Sequence, residues 1–147
     1  MNYLFPEHYK YSLKSENEND CGKAKILVLS PTRELCIQIK NNVSKLCPPS
    51  VNCLALYGGE SLWHQQQKCN HKIDIVVGTP GRIIDLVKKG SLYLHRIQYF
   101  VVDEADKMFG LGFSEQVKSI SQYIRPDRQS NFTFIVNIWL LFMSAFV

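Results

Sequence analysis

The sequence predicts an α/β fold in which helices pack against a mostly parallel β-sheet. Short apolar runs alternate along the chain with segments whose apolar residues have helical spacing, and this alternation is typical of such sheets. The apolar runs are rich in valine, isoleucine and leucine, as are strands that are buried on both faces. A chain of 147 residues with 46% hydrophobic and 20% charged residues has the size and composition of one globular domain. The alternation leaves the order of the strands in the sheet open.

The first half of this domain is predicted to contain two strands and two helices. Residues 25–30 (KILVLS) form the first strand, and residues 31–47 form a helix that ends at two prolines. The predicted apolar face of this helix consists of Leu35, Ile39, Val43 and Leu46. Residues 52–57 (NCLALY) form the second strand, which Gly58-Gly59 ends in a tight turn. Residues 60–69 then form a polar helix.

The second half repeats the alternation. Residues 73–77 (IDIVV) form a buried strand, after which Thr79 is a good N-cap and Pro80 a good first residue for a helix. Gly90 ends that helix, and residues 98–102 (QYFVV) form a further strand. The face of the last predicted helix consists of Phe113, Val117, Ile120 and Ile124.

The two ends of the chain differ from the middle. We predict an irregular segment over residues 1–24, a folded domain over 25–129 and a divergent apolar tail over 130–147. No charged residue follows Arg128, but a spanning helix needs about 20 predominantly apolar residues, so a buried strand with an apolar continuation is favoured over a membrane anchor. An alternative or misassembled terminus that replaces the true continuation of the domain is one hypothesis for this change.

The cysteines and histidines indicate the redox environment and whether a metal site is expected. Five cysteines without a CxxC pair, in a chain that opens without a secretory signal, indicate reduced thiols in an intracellular protein. His64, Cys69 and His71 lie close together in the sequence, but no second cluster completes a zinc spacing, so scattered core and surface residues are favoured. The net charge of +4 is compatible with nucleic-acid binding without indicating it.

Three carboxylates, Asp103, Glu104 and Asp106, directly follow an apolar strand. Ligands of open α/β sheets bind outside the carboxyl ends of the strands, so Asp103 is placed as a P-loop NTPase places its magnesium-binding aspartate. Glu104 could orient or deprotonate an attacking water. The alternative is that the acids cap and charge the start of the next helix, where negative side chains are favoured. These residues alone leave both interpretations open.

Five segments, one of which contains these acids, carry a resemblance to a known family. The segments are PTREL at 31–35, GG at 58–59, TPGR at 79–82 and DEAD at 103–106, followed by GF at 112–113. In order, spacing and context they resemble the signatures of the DEAD-box ATP-dependent RNA helicases, in the first of that family's two RecA-like domains. The resemblance covers about residues 25–129 and implies a three-layer RecA-like fold, here incomplete. The surrounding sequence segments, YGGESLWHQQ and SISQYIRPDRQ, are most similar to those of spliceosome-associated members.

The resemblance implies a role for each matching residue. Asp103 would hold Mg²⁺ through water, Glu104 would be the hydrolytic base, and Asp106 would join a polar network that links the ATP state to domain closure. The residues implied to bind the RNA backbone are Thr32, Arg33, Gly58, Gly59, Thr79, Gly81 and Arg82. Cations, hydroxyl groups and exposed backbone N–H groups suit phosphates, and such contacts carry no base information. ATP and Mg²⁺ would be the cofactors, RNA and spliceosomal or other RNP proteins the partners, and the nucleus rather than the cytoplasm the location.

Three parts of a complete enzyme of this kind are not found in the sequence. The segment CGKAK at 21–25 fails as a phosphate-binding loop because Ala24 replaces the Ser or Thr and Asn17 the first glycine. The family's Ser-Ala-Thr is matched only by Ser144-Ala145-Phe146, too far along the chain, and the second RecA-like domain is missing. We therefore expect the chain alone to be inactive as an ATPase. The alternatives are a non-catalytic RNA-binding or interaction fragment, or a poorly folding truncated product.

Overall fold

The computed structural model describes residues 21–124, which form four strands and five helices. The strands are β1 (Ile26–Leu29), β2 (Cys53–Leu56), β3 (Ile75–Gly78) and β4 (Tyr99–Val102). The helices are α1 (Arg33–Leu46), α2 (Leu62–Cys69), α3 (Pro80–Lys88), α4 (Ala105–Gly110) and α5 (Ser114–Tyr123). Residues 1–20 and 125–147 lie outside the described residues; they include most of the predicted irregular segment 1–24 and all of the predicted apolar tail 130–147.

The strands form one sheet in the order β2-β3-β1-β4, and all four described strands are parallel. The predicted α/β class with a parallel sheet is therefore confirmed. The last residues of the strands are level, because Gly78 is in register with both Leu56 and Leu29, and Leu29 with Val102. The residues that follow the four strands consequently share one edge of the sheet, which we call the carboxyl edge.

Two apolar cores cover the two faces of the sheet and give the molecule three layers. On one face, Ile26, Val28, Ile75 and Val77 pack with the apolar side of α1. On the other face, the alternate strand residues pack against side chains of the remaining four helices; these include Leu27, Val76, Phe100, Ile83, Met108 and Ile120. The central strands β1 and β3 are buried on both faces, so their sequences are continuous apolar runs rather than alternating ones.

The predicted helix boundaries agree closely with the structure, since the capping groups are local in sequence. Thr32 caps α1, and its Oγ1 accepts a hydrogen bond of 3.3 Å from the Leu35 N–H. Thr79 precedes α3 with Pro80 as first residue, as predicted, but its side chain makes no capping hydrogen bond. Gly90 has a φ of 67°, and the N–H groups of Gly90 and Ser91 bond the carbonyls of Val87 and Leu86, so the predicted glycine ends the helix.

The apolar face predicted for α1 is partly wrong. Leu46, the last residue of the predicted face, is 44% exposed. Cys36, which directly follows the first residue of that face, is fully buried. The contact face runs through Cys36, Ile39, Val43 and the following Cys47, so the helix is rotated from the predicted face. Cysteine is a small apolar residue that is often fully buried, and it lets the helix approach the sheet closely. The predicted face of α5 is confirmed, since Val117, Ile120 and Ile124 are buried and Phe113 packs beside them.

Two further features of the described residues concern the cysteines and the helix lengths. All five cysteines lie within residues 21–124 and are free thiols. Within the same residues, none of the helices has the length and apolar character needed to cross a membrane.

Candidate functional site

The carboxyl edge brings the predicted site residues together. Gly58 and Gly59 follow β2, Thr79 follows β3, Thr32 follows β1 and Asp103 follows β4. The strand order therefore places the acids at one end of the edge and the glycine pair at the other. Because neighbouring strands lie about 4.8 Å apart, the four strand ends span about 15 Å. This length suits an extended ligand that contacts several loops.

Asp103 is held firmly at its end of the edge. Its N–H donates to the Leu29 carbonyl at 2.9 Å, which continues the pairing of β1 and β4 one residue beyond the strand. The residue is 8% exposed, so its carboxylate is largely shielded from water. On the neighbouring strand end, the Ser30 side chain is fully buried, and its hydroxyl lies beside the Cys36 thiol, a weak hydrogen-bonding group. A buried carboxylate beside a buried hydroxyl is of the oxygen-ligand type that Mg²⁺ and its waters prefer.

Glu104 has an unusual backbone conformation. Its φ of 48° and ψ of 49° lie in the left-handed region, and no other non-glycine residue among residues 21–124 has a positive φ. This conformation costs about 1–2 kcal/mol for a residue with a Cβ. The Glu104 side chain makes no capping hydrogen bond to α4, so capping does not explain why glutamate occupies this position. Strained backbone of this kind is characteristic of functional positions.

Lys107 covers one carboxylate oxygen of Glu104. Glu104 Oε2 lies 3.1 Å from Lys107 Nζ, is shielded from water and has no hydrogen bond, although the two side chains as a whole are 40% and 52% exposed. Such a pair contributes little to stability. Asp106 is exposed in the first turn of α4, where a negative charge interacts favourably with the helix dipole. This position of Asp106 is compatible with the helix-charging interpretation and leaves open the role that the family motif implies.

Two groups of potential metal ligands in the sequence can be compared with the described residues. Across residues 21–124, no three His, Cys, Asp or Glu side chains converge to hold a metal ion. This covers both the three acids and the grouping of His64, Cys69 and His71. Mg²⁺ sites in phosphate-transfer proteins commonly use only one or two carboxylates, with waters and substrate phosphates as the other ligands. Asp103 could serve in this way.

Arg33 and the glycine pair are neighbours on the part of the carboxyl edge away from the acids. The Arg33 guanidinium carbon is 5.1 Å from the centre of the Tyr57 ring, which is a cation–π contact. A Cβ at Gly59 would come within 3.3 Å of Arg33 Nη1, and Gly59 has a φ of 84°. The left-handed backbone conformation therefore favours glycine at this position, while the Arg33 side chain could move aside for a Cβ. Gly58 is exposed and open on its side-chain face.

Arg82 is tied to the same loop through hydrogen bonds. Its Nη1 donates to Gln65 Oε1 at 2.8 Å, and its Nη2 donates to the Glu60 carbonyl at 3.0 Å. Gln65 Nε2 donates in turn to the Tyr57 carbonyl at 3.1 Å and to Glu60 Oε2 at 2.8 Å. We call these four residues, Tyr57, Glu60, Gln65 and Arg82, the Gln65 network. It joins the loop after β2, helix α2 and the start of α3.

Gln65 and Glu60 were not predicted from the sequence. Gln65 is fully buried although it lies in a helix that is polar overall. The one available signal was its spacing, because Gln65 is three residues after Leu62 and four before Cys69, both of which pack in the core. Lys68 Nζ lies 2.7 Å from Glu60 Oε1. Hydrogen bonds from Lys68 and Gln65 lower the pKa of Glu60, so its carboxylate remains ionised but compensated.

Two glycines position the start of α3. A Cβ at Gly78 would lie 2.5 Å from Ile83 Cδ1 and 2.8 Å from the Leu56 carbonyl oxygen, so only glycine allows α3 to begin this close to the sheet. Gly81 has more room, since its nearest neighbour would be Gln116 Oε1 at 3.7 Å. The Thr79 hydroxyl is not used by its helix cap.

Residues 21–25 pass directly into the sheet. Cys21 forms an antiparallel bridge with Lys72, and the Lys25 N–H donates to the Asp74 carbonyl at 3.0 Å. Lys23 consequently lies a few residues before β1 instead of at the start of a helix. A phosphate-binding loop presents its lysine and amides at a helix N-terminus, and Lys23 has no such surroundings.

A cavity of about 300 Å³ lies away from the carboxyl edge, near the start of β2 and the end of α2. Its lining residues include Asn52, Leu54, His71 and Lys72. None of the predicted site residues lines it.

Comparison with known proteins agrees with the fold and the motifs. The family model described as DEAD/DEAH box helicase matches residues 8–145. The chain is 44% identical over 125 residues to the DEAD-box ATP-dependent RNA helicase 3A, chloroplastic, of Zea mays, and 43% identical over 120 residues to the ATP-dependent RNA helicase DDX42 of Homo sapiens. Each alignment covers 80% of this chain but only 17% and 13% of the respective relative.

Solved structures resemble the fold. The crystal structure of the yeast DEAD-box splicing factor Prp28 matches with a TM-score of 0.71 at 28% identity, over 92% of this chain and 34% of that chain. A hypothetical ATP-dependent RNA helicase from Sulfolobus tokodaii matches with a TM-score of 0.66 at 33% identity, over 78% of this chain and 34% of that chain. The chain thus spans about a third of these structures. It belongs to the DEAD/DEAH box helicase family, and its described residues have the α/β fold of a RecA-like helicase domain.

Proposed function

We propose that this chain supplies the RNA-backbone-binding edge and the water-activating acids of an ATP-dependent RNA helicase. One observation carries the proposal: the carboxyl edge aligns the acids after β4 with the loops that hold Arg33, Gly59 and Arg82. Ligands of parallel α/β sheets bind at this edge. The chain spans less than a fifth of the length of these curated relatives. The helicase activity of a whole protein of this family is therefore proposed for this chain and not stated as its property.

On the acid side, each residue has a distinct task. Asp103, largely buried and anchored to β1, would bind Mg²⁺ through water. Glu104 would orient and deprotonate the attacking water, and its left-handed backbone fixes where its carboxylate projects. Bound Mg²⁺ and ATP would supply the reacting phosphates and neutralise their charge. Asp106, exposed on α4, would take part in the network that senses the nucleotide.

On the RNA side, the proposed contacts are to phosphates rather than bases. Arg33 is exposed above Tyr57, and the exposed Gly58-Gly59 turn allows a backbone to approach closely. The start of α3 offers the unused Thr79 hydroxyl and helix N–H groups, including that of Gly81, to a further phosphate. Thr32 lies at the start of α1, where its hydroxyl already caps the helix. Binding through such contacts is independent of base sequence.

RNA binding can be measured directly on the full chain. We expect a fluorescently labelled single-stranded RNA to bind with an affinity that falls steeply with salt, because binding releases counterions. Arg33→Ala should weaken binding and reduce the slope of log K against log salt by about 0.7.

The matched control is Lys88→Ala. Lys88 lies in the last turn of α3, and α3 begins at the carboxyl edge and runs away from it, so this variant removes an equal charge away from the edge. We expect it to leave the salt slope unchanged. Binding that is independent of salt, or an equal effect of the two variants, would contradict the proposal.

Turnover of ATP by this chain alone is not expected. The sequence contains no G-x-x-x-x-G-K-[ST] loop, and Lys23 leads into a strand. An RNA-stimulated phosphate-release assay should therefore give the background rate. Turnover that disappears on Glu104→Gln would show that the chain is a complete catalyst. If the chain binds RNA but does not hydrolyse ATP, it has the second candidate function, that of a non-catalytic RNA-binding fragment.

The proposed partners are spliceosomal or other RNP proteins in the nucleus. The support is the similarity to the yeast splicing factor, although the Zea mays relative is named chloroplastic. Imaging of the tagged chain together with capture of crosslinked RNPs tests this part. Accumulation in an organelle without RNP proteins would exclude it.

A further inference from the structure

We infer that Gln65 is a positioning residue that couples the two RNA-binding segments after β2 and β3 without touching RNA itself. The inference rests on the proposed function. It concerns how the Gly58-Gly59 turn and the start of α3 are held in one arrangement, since a phosphate backbone that contacts both requires a fixed distance between them.

Gln65 is buried and fully committed to protein contacts. It is 0% exposed, so RNA at the carboxyl edge cannot reach its side chain. Its Nε2 donates to the Tyr57 carbonyl and to Glu60 Oε2, while its Oε1 accepts from Arg82 Nη1. One amide thus connects the strand end, the following turn and helix α3. A buried amide with its partners all satisfied restricts each of them to one position.

Arg82 is the link from this network to the ligand. Two of its five N–H donors point inward, to Gln65 and to the Glu60 carbonyl. The residue is only partly buried, so the remaining donors can reach a phosphate at the edge. The planar guanidinium has a fixed shape, and holding one side of it sets the direction of the other. Gln65 therefore acts on RNA through the orientation of Arg82.

The chemistry of the site explains why the residue is glutamine. The position requires a donor toward Tyr57 and Glu60 and an acceptor toward Arg82, and an amide supplies both. Glutamate would place a second carboxylate next to Glu60 Oε2, where Gln65 Nε2 now lies at 2.8 Å. An apolar residue of the same length would leave a buried acceptor and a buried donor without partners.

The experiment is a double-mutant cycle in RNA binding on the full chain. Gln65→Met keeps the length of the side chain and removes its hydrogen bonds. We expect it to weaken RNA binding about tenfold in the wild-type background and to have little further effect in the Arg82→Ala background. Equal effects in the two backgrounds, or unchanged RNA binding by folded Gln65→Met, would overturn the inference.

Gln66→Met is the matched control. Gln66 lies in the same helix and its Nε2 donates to Ser91 Oγ at 3.0 Å, outside the Gln65 network. It should leave RNA binding unchanged. If Gln65→Met does not fold, the exchange variant E60Q/Q65E retains one carboxylate and one amide at the same positions. It should bind RNA more tightly than Gln65→Glu alone, and failure to do so counts against the network.

Hydrogen exchange without RNA separates this inference from the proposed function. Gln65→Met should speed exchange of the amides at both 58–60 and 81–83, whereas Gln66→Met should change neither segment. Faster exchange at both segments in a chain without salt-dependent RNA binding would refute the proposed function and keep the coupling. Unchanged exchange together with intact RNA binding in Gln65→Met would refute the coupling and keep the proposed function.

Discussion

The strained backbone at Glu104 makes a sharp prediction about stability. Glu104 is the one non-glycine residue within 21–124 that has a positive φ, and it directly follows the largely buried Asp103. Replacement of Glu104 by glycine should relieve this strain, while replacement by alanine should retain it. We therefore expect Glu104→Gly to be more stable than Glu104→Ala.

The magnitude follows from two opposing effects. A left-handed conformation costs a residue with a Cβ about 1–2 kcal/mol, and glycine avoids this cost. Glycine also loses about 0.5–1 kcal/mol more backbone entropy on folding than alanine. The midpoints of the two ranges differ by about 0.75 kcal/mol, so Glu104→Gly should be more stable by about that amount. Both variants lose the ion pair to Lys107, so that exposed contact cancels in the comparison.

Thermal and urea unfolding of the two variants measure this difference. For a chain of this size the expected rise in Tm of Glu104→Gly over Glu104→Ala is about 2–4 °C. Glu104→Asn provides a control, since asparagine tolerates the left-handed region better than alanine and should give an intermediate value. A glycine variant that is equal to or less stable than the alanine variant would show that the backbone at this position stores no strain.

Three further predictions test the rest of the site. Gly78→Ala should cost about 1–3 kcal/mol in urea unfolding because its Cβ would lie 2.5 Å from a buried side chain, whereas Gly81→Ala should be nearly neutral; equal losses would contradict the close packing. The pKa of Glu60 is lowered in the fold from its ordinary value of 4.5, so its contribution to stability is present above that pH and is lost as the pH falls through the folded pKa. Wild type should therefore lose more stability than Glu60→Gln between about pH 6 and pH 3, and parallel pH profiles would refute the ionised, hydrogen-bonded carboxylate. Burial raises the pKa of Cys53 to about 12, so iodoacetamide at about pH 8 should modify exposed Cys21 first, and mass spectrometry showing equal rates would contradict the burial.

Much of the local structure could be predicted because its causes are local. Thr79 and Pro80 begin α3, and Gly90 ends it, because capping and backbone preferences depend on a few neighbouring residues. The acids follow a buried strand, which places Asp103 at the carboxyl edge in any parallel arrangement. The one error in a helix face, at Leu46, arose because two adjacent faces of α1 carry apolar residues and only contact with the sheet selects between them.

The sequence by itself determined the class of fold, the family motifs and the positions of the acids, because strand and helix periods and turn residues are read over a few positions. The tertiary structure decided the order β2-β3-β1-β4, which depends on hydrogen bonds between distant segments. It also decided the left-handed backbone of Glu104 and the burial of Gln65. The spacing of Gln65 from Leu62 and Cys69 is its one local sign of burial. It does not reveal the hydrogen bonds, since the three partners come from a strand end, a turn and a different helix.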